Sequence, residues 1–181
     1  MGYGKGLSQV IESTEEKLKA YDIRIYPDPA LTLKAENVEN FDDELKEIID
    51  NIRLTLQISG GVGLAAPQVG ISKRIAIILH EDQEYILINP ELVAYSGSDT
   101  RDEGCLSFPE IFSQVKRPCI IKIKTNDMNG EVKFIEAESF LARAFLHEMD
   151  HLEGKLFIDL ISPLKRGMIR KKMKKRALEK K

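Results

Sequence analysis

The sequence contains few of the features that mark membrane proteins or disulfide-rich secreted proteins. Its 181 residues include no apolar run of about 18, the length needed to span a membrane. The only two cysteines, Cys105 and Cys119, are too far apart for a secreted disulfide scaffold and suit a reducing compartment. Residues 1–20 lack the apolar core of a signal peptide, and their glutamates argue against a transit peptide. We therefore expect one soluble globular protein that works in the cytoplasm, away from membranes.

Histidine is also scarce, and its distribution is uneven. Two of the three histidines lie in the pattern H-E-x-x-H, which His147, Glu148 and His151 form. Residues four apart lie on one face of an α-helix, so the two imidazoles could bind one metal ion together. Glu148 lies about a third of a turn away, where its carboxylate could reach a water at that ion. The pattern is typical of metal-assisted hydrolysis, although three fixed positions also recur by chance in ordinary helices.

The residues around this pattern predict a buried helix. Upstream, apolar residues recur at helical spacing between positions 137 and 144, and Ser139 is a candidate N-cap. Downstream, Gly154 is placed to end the helix as a C′ glycine. Buried histidines need polar partners, and a metal ion would be one. Two packed core histidines are the alternative, but they leave unexplained why two of only three histidines share one helix face.

Elsewhere, apolar periodicity predicts a further helix and two β-hairpins. Residues 42–56 carry an apolar stripe at helical spacing, with Asp42 or Asp43 as N-cap. Four other segments have the β-branched and apolar composition of strands, and turn residues separate them into two hairpins. These segments are 74–79, 85–88 with its extension 91–95, 118–125, and 131–136.

Two further stretches have an unusual composition. Residues 61–68, G-V-G-L-A-A-P-Q, are too rich in glycine and small residues for an ordinary strand, and they match no phosphate-loop pattern. They form either a tight connection or a backbone that a ligand approaches closely, with Gln68 as a polar group at its end. Between the predicted hairpins lie residues 101–109, which contain Cys105. That cysteine is either a small core residue or a thiolate that completes a metal site with an open position.

Three ordered stretches together resemble the three motifs of the peptide deformylases. They are G-V-G-L-A-A-P-Q at 61–68, E-G-C-L-S at 103–107 and H-E-M-D-H at 147–151, and the resemblance extends from Asp22 to Arg166. It implies an α+β fold with antiparallel β-sheets around a central helix that carries H-E-x-x-H, and with N-terminal and C-terminal helices. It also implies that Cys105 is supplied from a strand. It also implies an enzyme that hydrolyses the N-formyl group from the N-terminal formylmethionine of nascent polypeptides and releases formate.

The resemblance also implies which residues bind metal. It assigns Cys105, His147 and His151 to one ion, usually Fe2+, which Zn2+, Ni2+ or Co2+ can replace. Mixed nitrogen and sulfur ligands alone do not separate these metals. Glu148 is then the group that accepts a proton from the attacking water and returns it to the leaving amine.

The remaining site residues fall into an oxyanion site and two substrate-binding groups. The oxyanion is assigned to the side-chain amide of Gln68 and the backbone N–H of Leu106. One substrate-binding group pairs with the backbone of the substrate peptide, which binds like an added strand. The other group forms a methionine pocket on the H-E-x-x-H helix. The backbone group is Val62, Gly63 and Gly104, and the pocket group is Phe140, Arg143 and Ala144.

Three positions depart from patterns that are common in the family. Leu146 precedes H-E-x-x-H where glutamine is frequent. Arg143 occupies a helix position that is commonly apolar, so its guanidinium must either leave the pocket or alter it. Phe112 lies where some bacterial members carry arginine. None of these changes touches the core chemistry, but each leaves the substrate preference open.

The C-terminal segment is strongly basic. Residues 165–181 contain ten Lys or Arg and one acidic residue, Glu179, so the segment carries a charge of +9 in a chain of net −2. Such a segment can bind phosphate, and related bacterial enzymes use a C-terminal extension to dock on the ribosome. A solvated helix that only aids solubility is the alternative. We expect an N-terminal arm or short helix at 1–21, a catalytic domain at 22–164 and a basic helix or tail at 165–181.

Two other functions compete with this prediction. A zincin-type endopeptidase would share H-E-x-x-H, but it needs a distal histidine or glutamate as third ligand, whereas only Cys105 within E-G-C-L-S fits here. A ribosome-associated binding protein with a structural metal would be expected to lack Glu148 or Gln68, and both are present.

Overall fold

The computed structural model describes residues 18–179, so the predicted N-terminal arm or short helix lies outside the described residues except for its last four positions. The helices in this range are α1 (Asp43–Ser59), α2 (Ser139–Leu152) and α3 (Pro163–Glu179), with short 3₁₀ helices at Pro29–Thr32, Ala66–Val69 and Phe157–Leu160. The strands are β1 (Gly63–Ala65), β2 (Ile75–His80), β3 (Gln83–Ser96), β4 (Asp99–Cys105), β5 (Phe108–Arg117), β6 (Ile120–Asn126) and β7 (Val132–Glu138). None of the helices described has the length and apolarity that a membrane crossing requires.

The strands form two antiparallel sheets of unequal size. The larger sheet has the order β1-β2-β3-β6-β7, whereas β4 and β5 pair only with each other. Both predicted hairpins are present, as β2–β3 and β6–β7, and β3 runs through its predicted extension to Ser96. The predicted α+β fold with antiparallel sheets is therefore confirmed.

Helix α1 covers one face of the larger sheet. Ile49 and Ile52 of its apolar stripe are fully buried in a cluster with Ile75 and Ile77 of β2. The side chain of Asp42 caps the helix by accepting a hydrogen bond from the Leu45 N–H at 3.1 Å, as predicted. The helix ends at Gly60, whose backbone is left-handed with φ of 67°.

Helix α2 covers the opposite face of the same sheet. Phe145 packs in a cluster with Ala76 and Ile78, the β2 residues that alternate with those facing α1. Side chains alternate along a strand, so successive residues of β2 face α1 and α2 in turn. Both faces of β2 are apolar, and the strand lies between the two helices. Helix α2 is thus central, which confirms the expected position of H-E-x-x-H.

The predicted start of α2 is wrong, whereas its end has the glycine conformation that was expected. The predicted N-cap at Ser139 is wrong, because Ser139 is the first residue of the helix and the cap position belongs to Glu138, which makes no capping side-chain bond. At the other end, Gly154 has φ of 67°, as expected of a C′ glycine. A Cβ at Gly154 would lie 2.7 Å from the Thr32 carbonyl oxygen, so the position also requires the absence of a side chain.

The β4–β5 hairpin was not predicted from the sequence. Beyond a strand that supplies Cys105, no element was assigned to residues 101–109, yet Gly104 pairs with Phe112 and Glu103 pairs with Ser113 in an antiparallel ladder. Most side chains of β4 are exposed or half-buried, so the strand lacks the apolar alternation that predicts strands. The inner side of the hairpin packs through Phe108 in a third apolar cluster, which also contains Met173 of α3.

Candidate active site

A cleft of about 570 Å³ separates the larger sheet from the β4–β5 hairpin, with α2 along its floor. One wall comes from the glycine-rich segment that leads into β1, and the other comes from β4 and the turn after it. Both β1 and β4 are edge strands that line the cleft, and an edge strand has backbone groups that no neighbouring strand pairs. The cleft is lined by all six residues predicted to bind substrate: Val62, Gly63, Gly104, Phe140, Arg143 and Ala144.

The three predicted metal ligands meet at the bottom of this cleft. Cys105 ends β4, and His147 and His151 lie one turn apart on α2. One ligand atom from each of the three residues lies within 4.8 Å of the other two, and the Cys105 sulfur is 3.3 Å from the His151 Nε2. Burial lowers the pKa of His151 well below its usual value, so its imidazole is neutral and available as a ligand. One thiolate and two imidazoles fit a divalent transition metal with a position left open.

The position of Glu148 matches that of a proton acceptor beside such an ion. Its side chain is 4% exposed, and its Oε2 has no hydrogen-bond partner among the described residues. Burial raises the pKa of Glu148 to about 7, against the opposing charges of His147 and Arg117. A carboxyl group with that pKa can take up and release a proton near neutral pH. Gly63 is required beside it, since a Cβ there would lie 2.4 Å from the Glu148 Oε1.

Gln68 is buried with its amide group in a fixed orientation. Its Oε1 accepts a hydrogen bond from the Ala65 N–H at 2.9 Å. Its Nε2 donates to the Ser107 hydroxyl at 3.3 Å and to the Cys105 sulfur at 3.5 Å. The NH₂ end of the side chain therefore points at the metal-ligand cluster, where it can donate to a developing negative charge. Leu106 follows Cys105 directly and lines the same cleft.

A buried charge network behind His147 was missed by sequence reasoning. The Glu103 carboxylate accepts hydrogen bonds from Arg117 Nε at 2.5 Å and Arg143 Nη1 at 2.7 Å. Its other oxygen lies 3.1 Å from the His147 Nδ1. Burial alone would raise the pKa of Glu103, but the bonds from His147 and Arg117 lower it to about 2. The carboxylate is thus ionised and holds the His147 ring in one orientation.

The three positions that depart from the family pattern have different environments. Arg143 lines the cleft, but its guanidinium is directed to Glu103 and its side chain is buried. Leu146 is a core residue in the cluster between α2 and the sheet. Phe112 is 72% exposed and lies across Gly104, where a Cβ would be 2.5 Å from the Phe112 ring. Of these three residues, only Phe112 therefore places a large exposed side chain at the cleft.

Comparisons with known proteins agree with these features. The family model for polypeptide deformylases matches residues 20–167. A peptide deformylase from Syntrophobacter fumaroxidans is 44% identical over 163 residues, which cover 87% of this chain and 96% of that protein. The crystal structure of the peptide deformylase from Thermotoga maritima has a TM-score of 0.78 at 44% identity, covering 80% of this chain and 99% of that one.

A further solved structure is that of the Ehrlichia chaffeensis peptide deformylase in complex with actinonin. It has a TM-score of 0.84 and 35% identity, and the match covers 88% of this chain and 98% of that one. The range matched by the family model includes the cleft and all three motifs, and the relatives and solved structures each match most of the chain. The chain therefore belongs to the peptide deformylase family.

Proposed function

We propose that this chain hydrolyses the N-formyl group from the N-terminal formylmethionine of nascent polypeptides and releases formate. The observation that carries the proposal is the convergence of Cys105, His147 and His151 with Glu148 in one open cleft. Membership of the peptide deformylase family supplies the reaction. The same convergence argues against an endopeptidase of the zincin type, because the third candidate ligand is a cysteine from a separate strand.

Cys105, His147 and His151 are the proposed ligands of one metal ion. Fe2+ is the proposed native ion and Zn2+, Ni2+ or Co2+ the proposed replacements, as the resemblance to the peptide deformylases implies. The mixed nitrogen and sulfur ligands do not separate these metals. A bound ion would supply Lewis-acid chemistry and lower the pKa of the attacking water. The Glu103–His147 hydrogen bond supports this role, since a carboxylate behind an imidazole fixes its tautomer and orientation.

Proton transfer is assigned to Glu148. Its buried carboxyl group, with a pKa of about 7, takes a proton from the attacking water. It then donates that proton to the nitrogen that leaves when the formyl C–N bond breaks. The oxyanion that forms in between accepts hydrogen bonds from the Gln68 side-chain amide and the Leu106 backbone N–H. A glutamate at position 68 would place a negative charge against that oxyanion, so an amide suits the position better.

The substrate backbone is proposed to bind as a strand between β1 and β4. Edge strands pair with extended peptides through backbone hydrogen bonds, which bind many sequences with little side-chain selection. Val62, Gly63 and Gly104 provide this backbone. The methionine side chain then enters the apolar part of the cleft formed by Phe140, Ala144 and the aliphatic stem of Arg143.

The catalytic domain is proposed to span residues 22–164, followed by a basic segment at 165–181. We propose that the protein works in the cytoplasm and that the basic segment docks on the ribosome there. Residues 163–179 form α3, whose lysines at 171, 172, 174 and 175 are exposed. Exposed positive charge on one helix supports contact with phosphate groups of ribosomal RNA. The buried Met173 anchors this helix to the catalytic domain, so the segment is not a free tail.

The proposal is tested by assaying protein purified without oxygen on a formyl-methionyl tripeptide, with metal analysis of the same sample. We expect release of formate and bound iron. The matching acetyl-methionyl tripeptide is the control, because it offers an amide of similar size without the formyl hydrogen. Metal-loaded protein that cleaved both peptides equally, or cleaved an internal peptide bond, would contradict the proposed reaction.

A further inference from the structure

We infer that Arg143 is a positioning residue for the metal site, which acts through Glu103 on His147 and on the strand that carries Cys105. The inference rests on the proposed function only for the identity of the metal ligands. It changes the role expected for Arg143. The sequence assigned this residue to substrate binding, whereas its guanidinium contacts other residues of the protein.

Arg143 and His147 lie one turn apart on the same face of α2, and both contact the same carboxylate. The Arg143 Nη1 donates to the Glu103 Oε1 at 2.7 Å, and the His147 Nδ1 lies 3.1 Å from the Glu103 Oε2. The two oxygens of one carboxylate are thus held by two residues of one helix. Rotation of the Glu103 side chain would break both contacts, so Arg143 restricts the orientation in which Glu103 meets the His147 ring.

The guanidinium also attaches the β4–β5 hairpin to α2 at points away from Glu103. Its Nη2 donates to the Asp99 carboxylate at 2.6 Å and to the Asp99 carbonyl at 3.2 Å. Its Nη1 donates to the Val115 carbonyl at 2.8 Å. Asp99 begins β4 and Cys105 ends it, whereas Val115 lies in β5. One side chain therefore fixes both strands of the hairpin relative to the helix that carries the two histidines.

Burial separates this role from that of a surface ion pair. Arg143 is 4% exposed and Glu103 is 6% exposed, so water screens their interaction poorly. Both terminal nitrogens of Arg143 donate within the protein, and its Nε is buried without a partner among the described residues. The two terminal nitrogens are therefore engaged within the protein and not with a peptide in the cleft. A planar fork is needed to reach Glu103, Asp99 and Val115 together, which a lysine cannot do.

The test measures Co2+ binding to the full chain, by chelator competition and by the visible absorption of the bound ion. We expect Arg143→Met to weaken Co2+ binding about tenfold, the lower end of the effect of residues behind metal ligands. The absorption bands of Co2+ should shift, since they report the geometry of its ligands. Arg143→Lys should restore only part of the affinity, because the ammonium replaces one of the three contacts.

Arg74→Met is the matched control for a general loss of stability. Arg74 is also buried and pairs with Glu153, and its Nη2 donates to the Pro90 carbonyl at 2.9 Å. It contacts none of the candidate ligands, so its replacement should lower Tm and leave Co2+ affinity and absorption unchanged. Equal spectral changes in both variants would overturn the inference, because the effect would then follow from stability alone.

A double-mutant cycle tests whether Arg143 acts through Glu103. In a Glu103→Gln background, Arg143→Met should weaken Co2+ binding much less than it does in the unsubstituted chain. Full additivity would contradict the inference, as would Arg143→Met with normal Co2+ binding and a raised KM for the formyl peptide. A chain that bound Co2+ normally yet hydrolysed no formyl peptide would contradict the proposed function and leave the role of Arg143 intact.

Discussion

The larger sheet and the β4–β5 hairpin are attached to the rest of the molecule by different interactions. The sheet lies between two helices, with Ile77 and Ile78 of β2 fully buried on opposite faces. The hairpin is attached to α2 largely through buried charged side chains. Within this network, Arg117 and Arg143 both contact Glu103. Arg117 also donates to Asp150 of α2 at 2.8 Å.

This difference separates stability from active-site geometry. Apolar burial is non-directional and roughly proportional to area, so the sheet provides stability without specifying any one orientation. Hydrogen bonds between charged groups depend on distance and angle, so the network specifies how Glu103 meets His147. The active site lies where the two regions meet, with Gln68 and Gly63 from the sheet side and Cys105 from the hairpin. We therefore expect some substitutions to impair active-site geometry and spare stability, and others to lower stability and spare active-site geometry.

The most damaging change to geometry should be Gly63→Ala. A methyl group there would lie 2.4 Å from the Glu148 Oε1, so the carboxylate has to move. Displacement of a reacting group by about 1 Å can reduce the rate about 100-fold, and we expect a fall in kcat of that order. The measurement is kcat on a formyl-methionyl peptide, with Tm recorded in parallel.

The control for Gly63→Ala is Gly167→Ala. Gly167 lies in α3, and a Cβ there would have no atom within 4 Å. Alanine in a helix interior stabilises by about 0.5–1 kcal/mol relative to glycine, so Tm should rise slightly and kcat should stay the same. A Gly63→Ala variant with normal kcat would show that Glu148 has room to move without losing function.

The opposite effect is expected from Ile77→Ala. Ile77 is fully buried between β2 and α1, and its truncation should lower the free energy of unfolding by about 2–5 kcal/mol. It contacts no residue of the charge network, so kcat of the folded protein should be unchanged. Urea unfolding and kcat at low temperature measure the two properties. A fall in kcat as large as that of Gly63→Ala would remove the distinction between the two regions.

A smaller and separate effect is expected on the surface of α3. Replacing Lys171 and Lys174 by glutamate should weaken co-sedimentation with ribosomes at low salt, because each lost positive charge removes a phosphate contact. Both side chains are exposed, so neither Tm nor kcat on small peptides should change. Charge reversal is a better test than truncation, since removing the end of α3 would delete the buried Met173. Unchanged co-sedimentation would support the alternative of a solvated helix.

The same two regions differ in how well the sequence predicted them. The apolar stripe of α1 and the β-branched, apolar composition of β2 and β3 reflect burial against neighbouring elements, so these elements were predicted. His147 and His151 were predicted to lie together from helical spacing alone. Cys105 remained open as core residue or ligand until the resemblance to the peptide deformylases was considered.

The hairpin and its charge network could not be predicted in this way. Glu103 lies 14 residues from Arg117 and 40 from Arg143, and charged residues on a strand ordinarily indicate an exposed face. Their burial depends on the packing of the hairpin against α2, which no local pattern encodes. Arg143 was therefore expected in the substrate pocket. An arginine on the face of a helix that also presents two candidate metal-ligand histidines is the one local signal of such a network.

The most direct test of the proposed active site is the metal content and turnover of Glu148→Ala. Glu148 is the proposed proton acceptor and Cys105, His147 and His151 the proposed ligands, so the variant should retain a stoichiometric metal ion. Its turnover on a formyl-methionyl peptide should fall by about 10²–10⁴-fold, the usual contribution of a general base. A variant that purified without metal, or that kept normal turnover with metal bound, would contradict this division of roles.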